Sequence, residues 1–321
     1  MEKICIESVK KGEKIQGYIT IGEIMNFKFH IPTIVIRSHN DSYPILNVHA
    51  GIHGNEYEGI AAVIRLAREL SSEDLIRGTL IFNPVVNTTA FLWTTRENPI
   101  DLKDLARCFP GDPDGTISQR IAYVFYNEVI KKSDYVIGLH SAGRPLKILP
   151  FTEFFDAPGK AGKESLAMAK AFGVKYLRKI SLPPVNVTCT AKAAEDGIPA
   201  IEPEICGEER CSPENVDIYV NGVKNVMKYL GMIDGKVEFK SSYVYFDGKW
   251  VPSEKGGFFI PKIMLGEDVE EGSEIGFLYD WFGNEEPVKA RFSGKIIGIR
   301  TLPLIRQGEI IAHIGRPYRV E

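Results

Sequence analysis

Two histidines stand where this chain could do chemistry. The apolar run from Pro44 to Ile52 leads into His53, and Glu56 follows three residues later across the turn His53-Gly54-Asn55-Glu56. An imidazole and a carboxylate so spaced at a tight turn can both point at one ion. Zinc accepts both donor types, and a catalytic zinc uses three protein ligands and keeps a fourth position for water. A second apolar run, Tyr135 to Leu139, stops at His140, which supplies the third donor. Only six His occur in the chain, and two of them end apolar runs. Sites in open α/β sheets form just outside the carboxyl ends of the strands, so these positions are where ligands are expected.

Two further segments carry reactive groups. The polar stretch from Arg96 to Gly111 is too irregular for a helix or strand, yet it holds Arg96 and Arg107. A guanidinium is a rigid planar fork that grips a carboxylate through two hydrogen bonds, so both arginines suit a substrate with a free carboxylate. In Ile201-Glu202-Pro203-Glu204-Ile205, strand alternation places both glutamates on one face and the apolar residues on the other. A carboxylate held beside a metal-bound water can act as general base when its surroundings raise its pKa. Glu202 and Glu204 are both candidates on this pattern.

The elements that must position these residues can be read from periodicity. Residues 17–37 alternate and are β-branched, as strands are. Residues 59–70 and 116–132 have helical spacing of apolar residues, the second with Lys131 and Lys132 suited to its C-terminal end. Between them, 78–86 reads as a strand. Further helices are expected at 162–172 and 214–230, the latter opened by Ser212-Pro213-Glu214. The alternation predicts an α/β domain over residues 1–235, with helices on both faces of a parallel or mixed sheet.

From residue 236 to 321 the texture becomes glycine-punctuated β. Val269-Glu270-Glu271-Gly272-Ser273-Glu274-Ile275 and Ile305-Arg306-Gln307-Gly308-Glu309-Ile310-Ile311 form a short repeat, with Gly257 and Gly294 at similar distances upstream. Such half-motifs resemble the barrel-sandwich fold of biotinyl and lipoyl carriers. No Met-Lys acceptor pair is present, so a structural or lid role is expected rather than a carrier.

Composition bounds the function. The chain has 321 residues, 44% hydrophobic and 25% charged, as in ordinary globular proteins. A net charge of −3 and no basic run argue against nucleic-acid binding. No apolar stretch is long enough to span a membrane. Residues Met1–Glu7 lack the apolar core of a signal peptide, so a cytoplasmic location is expected. The five cysteines form no C-x-x-C pair and are expected to be free thiols. Cys206 and Cys211 would need a further partner to make a second metal site.

Taken in order, His53-x-x-Glu56, the Arg96…Pro99-x-Asp101…Asp104-Leu105-x-Arg107-x-Phe109-Pro110-Gly111 loop, Leu139-His140-Ser141 and Gly197-Ile198-Pro199-Ala200-Ile201-Glu202-Pro203-Glu204 resemble the succinylglutamate desuccinylase/aspartoacylase family. The resemblance covers roughly residues 20–315. It implies a zinc-carboxypeptidase-like mixed sheet flanked by helices, with a small C-terminal all-β domain of barrel-sandwich type. It implies one Zn2+ per chain held by His53, Glu56 and His140, and Glu204 as the base that activates the zinc-bound water. Arg107 and Arg96 would grip the substrate carboxylate or the developing oxyanion. The implied activity is hydrolysis of the amide of a small N-acyl amino acid, with a small carboxylate-bearing substrate as partner and a homo-oligomer as assembly. A metallocarboxypeptidase acting on a small peptide, or a non-catalytic binding homologue, is the alternative. Three positions depart from the family's pattern. Ala106 stands where Asn is usual, Gly138 stands where Asp often supports the second His ligand, and Cys206 fills a common Gly position. The acceptor that orients His140 must therefore come from elsewhere.

Overall fold

The computed structural model describes residues 4–25, 27–182 and 187–318; the first three residues of the N-terminal segment read above lie outside them. The chain opens with an antiparallel hairpin, β1 (Lys14–Ile24) and β2 (Phe27–Arg37). Then β3 (Ile45–His49), α1 (Tyr57–Glu69), β4 (Thr79–Asn83), α2 (Thr88–Leu92), α3 (Ile117–Glu128) and β5 (Tyr135–Gly138) follow. Next come β6 (Leu146–Ile148), β7 (Phe151–Asp156), α4 (Lys160–Phe172), β8 (Tyr176–Ser181), α5 (Cys189–Glu195), β9 (Ala200–Glu204) and α6 (Pro213–Tyr229). The C-terminal part is all β: β10 (Val244–Pro252), β11 (Gly257–Pro261), β12 (Asp268–Val269), β13 (Glu274–Tyr279), β14 (Glu285–Lys289), β15 (Gly294–Arg300), β16 (Leu304–Ile305) and β17 (Ile310–Tyr318).

The large sheet runs β1-β2-β4-β3-β5-β9-β7-β8-β10-β17-β15-β12, with β6 attached to β15. It is mixed: β4, β3, β5 and β9 are parallel to one another, while β7 runs antiparallel to β9. Parallel central strands are buried on both faces and read as continuous apolar runs, which is why β4 is buried throughout and β3 nearly so. One face carries α1, α4 and α6 over Leu46, Val48, Leu80 and Ile201. The other carries α3 over Val35, Ile81 and Val136. Each such fully buried Ile or Leu contributes about 1.5–3 kcal/mol.

Local signals account for the boundaries. Thr116 and Gln119 close a capping box at the start of α3. The Ser212 side chain accepts from the Asn215 amide and Pro213 occupies the first turn of α6. The expected helix at 116–132 is shorter, because Val129 leaves helical backbone at φ −123°, ψ −60°, and residues Ile130–Lys132 form a separate 3-10 turn.

The change of texture near residue 236 falls between α6 and β10, yet β10 pairs with β8 and the sheet continues across it. A second, four-stranded sheet, β14-β13-β11-β16, packs on the C-terminal end of the first around Phe259, Ile275, Ile296 and Ile314. The short repeat is real in three dimensions. Gly272 and Gly308 both turn at φ +85° between paired strand ends, and Val269, Ile275, Ile305 and Ile311 all enter this core.

Candidate metal centre

The carboxyl ends of β3, β5 and β9 meet at one place. Beyond β3 the chain turns at Gly51 (φ +65°), then passes His53 and Gly54 to Glu56, which sits at the N-terminus of α1. Gly54 lies so close to α2 that a Cβ there would meet the Ala90 carbonyl carbon at 2.0 Å, so no larger residue allows this approach. The Gly54 amide donates to the Thr95 carbonyl, which ties the ligand turn to the segment bearing Arg96.

His140 follows β5, and its backbone is stitched to the end of β9. The His140 amide donates to the Pro203 carbonyl, the Ile205 amide donates to the His140 carbonyl, and the Tyr219 hydroxyl donates to that same carbonyl. These bonds set Glu204 beside His140. β9 lies inside the sheet, between β5 and β7, so Glu202 and Glu204 are not edge-strand surface charges.

His53, Glu56 and His140 are buried, and their ligand atoms lie within 4.8 Å of one another. His53 Nδ1 is 2.6 Å from Glu56 Oε1, and His140 Nδ1 is 2.9 Å from Glu56 Oε2, which also accepts from the Ser141 amide. The outer nitrogens are engaged too. His53 Nε2 lies 3.1 Å from Asp104 Oδ1, and His140 Nε2 lies 3.2 Å from Glu202 Oε1. A carboxylate on Nε2 fixes the N–H there and leaves the Nδ1 lone pair for a cation, which is how metal-binding histidines are usually supported. The donor set of two imidazoles and one carboxylate, converging and oriented from behind, fits a zinc-type ion with an open position.

Glu202 is thus the acceptor that Gly138 does not provide. Its other oxygen accepts from Thr190 Oγ1 at 2.8 Å and Thr188 Oγ1 at 3.3 Å, from the start of α5. The space beside Gly138 is taken by His49, since a Cβ at 138 would come within 3.0 Å of both His49 Nε2 and Thr190 Cγ2. His49 Nδ1 lies 2.8 Å from Asn47 Oδ1. Burial, reinforced by the charge on His140, lowers the His49 pKa to about 3, so it stays neutral.

The electrostatics follow from burial and from opposed charges. Burial pushes the Glu56 carboxyl up, but the facing His53 and His140 imidazoles outweigh it and hold Glu56 well below the usual carboxylate range. Burial pulls His140 down, yet Glu56, Glu202 and Glu204 together raise it to about 10 in the absence of a metal. Asp104 is held well below its usual range; burial opposes this, and the hydrogen bond from His53 and the Arg96 charge prevail. Glu204 goes the other way: burial raises it well above an ordinary carboxylate, His140 opposes, and Glu56, Glu153 and Glu202 add to the rise. Its carboxylate has no hydrogen-bond partner among the described residues, which leaves it available as a base.

The two arginines separate. Arg96 joins the centre: Nη1 is 3.3 Å from His53 Nδ1 and 3.6 Å from Glu56 Oε1, and Nη2 is 3.1 Å from Asp104 Oδ2. Arg107 does not touch the three ligands. It lies beyond Asp104, lining a surface cavity of about 320 Å³ with Lys103, Cys108 and Gln119. The segment between them is more ordered than its composition suggests. Asn98 is buried and closes a turn with Leu102 and Lys103, and Asp101 accepts from the Ser118 amide and hydroxyl at the start of α3. Asp104 also accepts from the Ala106 amide, capping a 3-10 turn at Leu105–Arg107.

Residues 42–230 match the sequence model of the succinylglutamate desuccinylase/aspartoacylase catalytic domain. The chain belongs to this family. It is 31% identical, over 295 residues, to N-alpha-acetyl-L-2,4-diaminobutyric acid deacetylase of Halomonas elongata, covering 89% of this chain and 85% of that one. Among solved structures, a succinylglutamate desuccinylase/aspartoacylase from Rhodobacter sphaeroides superposes with TM-score 0.89 at 27% identity, covering 100% of this chain and 99% of that one. The product-bound ectoine utilization protein EutE (DoeB) from Ruegeria pomeroyi superposes with TM-score 0.88 at 28% identity, covering 96% of each chain. The fold is that of these relatives: a mixed α/β sheet flanked by helices, with a C-terminal all-β region.

Sequence reasoning gave no supporting role to three groups that the structure brings into the site. Asp104 stood in the quoted loop without a role; an acid three residues before an arginine was its faint signal. Glu202 was weighed as a base and proves to contact His140. Thr188 and Thr190 carry no sequence signal, because their partner is remote until α5 packs beside β9. Cys206 and Cys211 join no metal cluster; among the described residues the one such group is His53, Glu56 and His140. All five cysteines are unpaired. Among the described residues no helix is long and apolar enough to cross a membrane.

Proposed function

We propose that this protein is a zinc-dependent deacylase that hydrolyses the amide bond of a small N-acyl amino acid. His53, Glu56 and His140 would hold the ion. When bound there, zinc would lower the pKa of a water toward neutrality and polarise the acyl carbonyl. Glu204 takes a proton from the attacking water and returns it to the departing amine. Burial and the neighbouring carboxylates raise its pKa above that of an ordinary carboxylate, which makes it the stronger base this task needs. Arg96 keeps Asp104 ionised and faces the ligand cluster, where it can also meet negative charge on the acyl oxygen. Arg107, behind Asp104 with Lys103, is placed to draw a carboxylate-bearing substrate to this side. Asp104 and Glu202 orient the two imidazoles.

The observation that carries this reading is the paired support of the ligands: each imidazole turns Nδ1 to Glu56 and Nε2 to its own carboxylate. Such an arrangement is costly to bury without a cation at its focus. The deacetylase and desuccinylase activities named for the relatives supply the reaction class. The test combines metal analysis with turnover. Wild type should hold about one zinc per chain and release acid from N-acetyl amino acids. His53→Ala should lose the metal. Glu204→Gln should keep it and lose at least about a hundredfold in kcat. An active Glu204→Gln enzyme would remove Glu204 from the mechanism, and metal-free active wild type would overturn the zinc reading.

A further inference from the structure

The four-stranded sheet β14-β13-β11-β16 carries apolar residues on both faces. Its inner face is core, with Phe259, Ile275, Leu278 and Ile305 buried together. An antiparallel sheet with one solvated face normally alternates apolar-in and polar-out. Here Phe258 and Ile260 of β11 point the other way from Phe259, and both are half-exposed. In register, Phe258 stands between the exposed Leu304 of β16 and Tyr279 of β13, and Ile260 stands beside Phe277. These side chains make one continuous outward apolar face. On β14 it is bordered by Glu285, beside Tyr279, and by Pro287, beside Phe277.

The β13–β14 hairpin extends this face with a fixed turn that displays two more rings. Asp280 Oδ1 accepts from the Phe282 and Asn284 amides, Asp280 Oδ2 accepts from Asn284 Nδ2, and Gly283 turns at φ +81°. Trp281 is 98% exposed and Phe282 is 89% exposed, so folding gains almost no burial from either. A rigid turn presenting Trp and Phe is the form that binding anchors take. The two rings with Phe258, Ile260 and Leu304 offer roughly 500 Å² of apolar surface. A stable dimer buries about 800 Å² per partner, about 65% of it apolar, so the area is of the size a dimer needs. The ends of the face differ in charge. Asp280 and Glu285 lie at the hairpin tip, where Glu286 is already paired with Lys255. Lys262, Lys289 and Glu274 lie at the other end, leaving one net positive charge there.

We propose that this face is covered by the same face of a second copy of the chain, in a two-fold dimer whose facing sheets run antiparallel. The axis lies between the sheets, at right angles to the strands, and each surface meets itself as a two-fold contact requires. Face-to-face sheets pack about 10 Å apart, close enough for the outward side chains to interdigitate. This arrangement lays the acidic tip of each copy over the basic end of the other, with Glu285 opposite Lys289. The tip aromatics then reach the end where Lys262 lies 5.7 Å over the Phe277 ring and Met264 is exposed, a seat that suits an indole. A parallel arrangement would set tip on tip and oppose like charges. The inference stands independently of the deacylase reading.

Sedimentation velocity of the full chain over about 1–100 μM tests this, with thermal melting as the control for folding. Wild type should be a dimer. The double variant Trp281→Ala with Phe282→Ala, whose side chains contribute nothing to the folded core, should raise the dimer Kd at least about a hundredfold. Phe258→Glu should do the same from the middle of the face. The orientation is tested by charge exchange. Glu285→Lys and Lys289→Glu should each weaken the dimer about three- to tenfold, and an equimolar mixture of the two should associate more tightly than either alone. No gain in the mixture would overturn the antiparallel packing. A wild type that stays monomeric throughout would overturn the proposal, and so would a dimer indifferent to both Trp281/Phe282 and Phe258. A monomer whose Trp281 emission shifts only on phosphatidylcholine vesicles would assign the face to a lipid surface instead.

Discussion

Metal binding at this centre should displace a proton from His140. Without a metal, burial lowers the His140 pKa, but Glu56, Glu202 and Glu204 raise it to about 10. At pH 7.5 the imidazole is then almost fully protonated, so an ion that takes its Nδ1 must release about one proton. With one proton exchanged, affinity should rise about tenfold per pH unit, near 1.4 kcal/mol each, until the pH approaches 10. Between pH 7 and 9 this amounts to about a hundredfold.

Calorimetric titration of chelated protein with zinc, in buffers of different ionisation enthalpy, counts the protons. Because a water on the ion can also lose a proton, the histidine is followed separately by 15N NMR of the metal-free protein. His140 should remain charged at pH 8. Glu202→Gln removes one of the carboxylates that raise it and should bring its titration to lower pH. A neutral His140 at pH 7 in the metal-free protein would refute the reasoning. The sign for stability is opposite. A histidine whose folded pKa exceeds its unfolded value of about 6.5 stabilises fully below that pH and loses the contribution as pH rises through about 10. Metal-free protein should therefore melt at lower temperature at pH 10 than at pH 7, while its zinc affinity increases.

Two further outcomes are expected beside those given for His53 and Glu204. Glu58 is fully buried in α1 with Oε2 unpartnered, and burial raises its pKa to about 7. A carboxyl raised in the fold favours the folded state below its unfolded pKa, and that advantage disappears between about pH 4.5 and 7. The Glu58 contribution should fall by up to about 3 kcal/mol over this interval, while His49 and His313, held neutral by burial, act in the opposite sense, so the quantity to compare in denaturant titrations is the difference between metal-free wild type and Glu58→Gln, which should change by up to that amount; equal slopes would reject a buried, titrating Glu58. Gly138→Asp should lower stability by about 1–3 kcal/mol, because its Cβ would press on His49 and Thr190 at 3.0 Å. A melting temperature equal to wild type would show that this space is not filled as described.

The parts of the fold that depend on one segment's own pattern were legible. The apolar runs at 44–52 and 135–139 became the central strands β3 and β5, and α1, α4 and α6 appeared where their periodicity placed them. The C-terminal glycine repeat marked paired turns because φ +85° is a conformation that glycine adopts readily. Contacts between remote segments were not legible. Nothing in the sequence says that β8 will pair with β10, which carries the large sheet across the change of texture at residue 236. The same limit applied to the site. His53, Glu56 and His140 announced themselves by type and position at strand ends. The resemblance put Arg107 ahead of Arg96, yet only Arg96 reaches the cluster, since the 3-10 turn at Leu105–Arg107 carries the second arginine past Asp104.

The support of His140 shows why a departure from a motif is weak evidence of lost function. An aspartate two residues before the histidine is one way to place an acceptor behind it. Here that position is Gly138, His49 occupies the vacated volume, and Glu202 approaches from the neighbouring strand to 3.2 Å of Nε2. Two threonines at the start of α5 hold the other Glu202 oxygen, so the replacement acceptor is itself fixed. The requirement is chemical: an anion behind the imidazole, in the plane that turns Nδ1 to the ion. Any strand that delivers a carboxylate there satisfies it. A side chain at residue 138 would crowd His49 at 3.0 Å, so one of the two must shift and the positions should be energetically coupled. On this reasoning His49→Ala should relieve part of the destabilisation of Gly138→Asp, and strictly additive losses in the double variant would show that the two sites are not coupled through this volume.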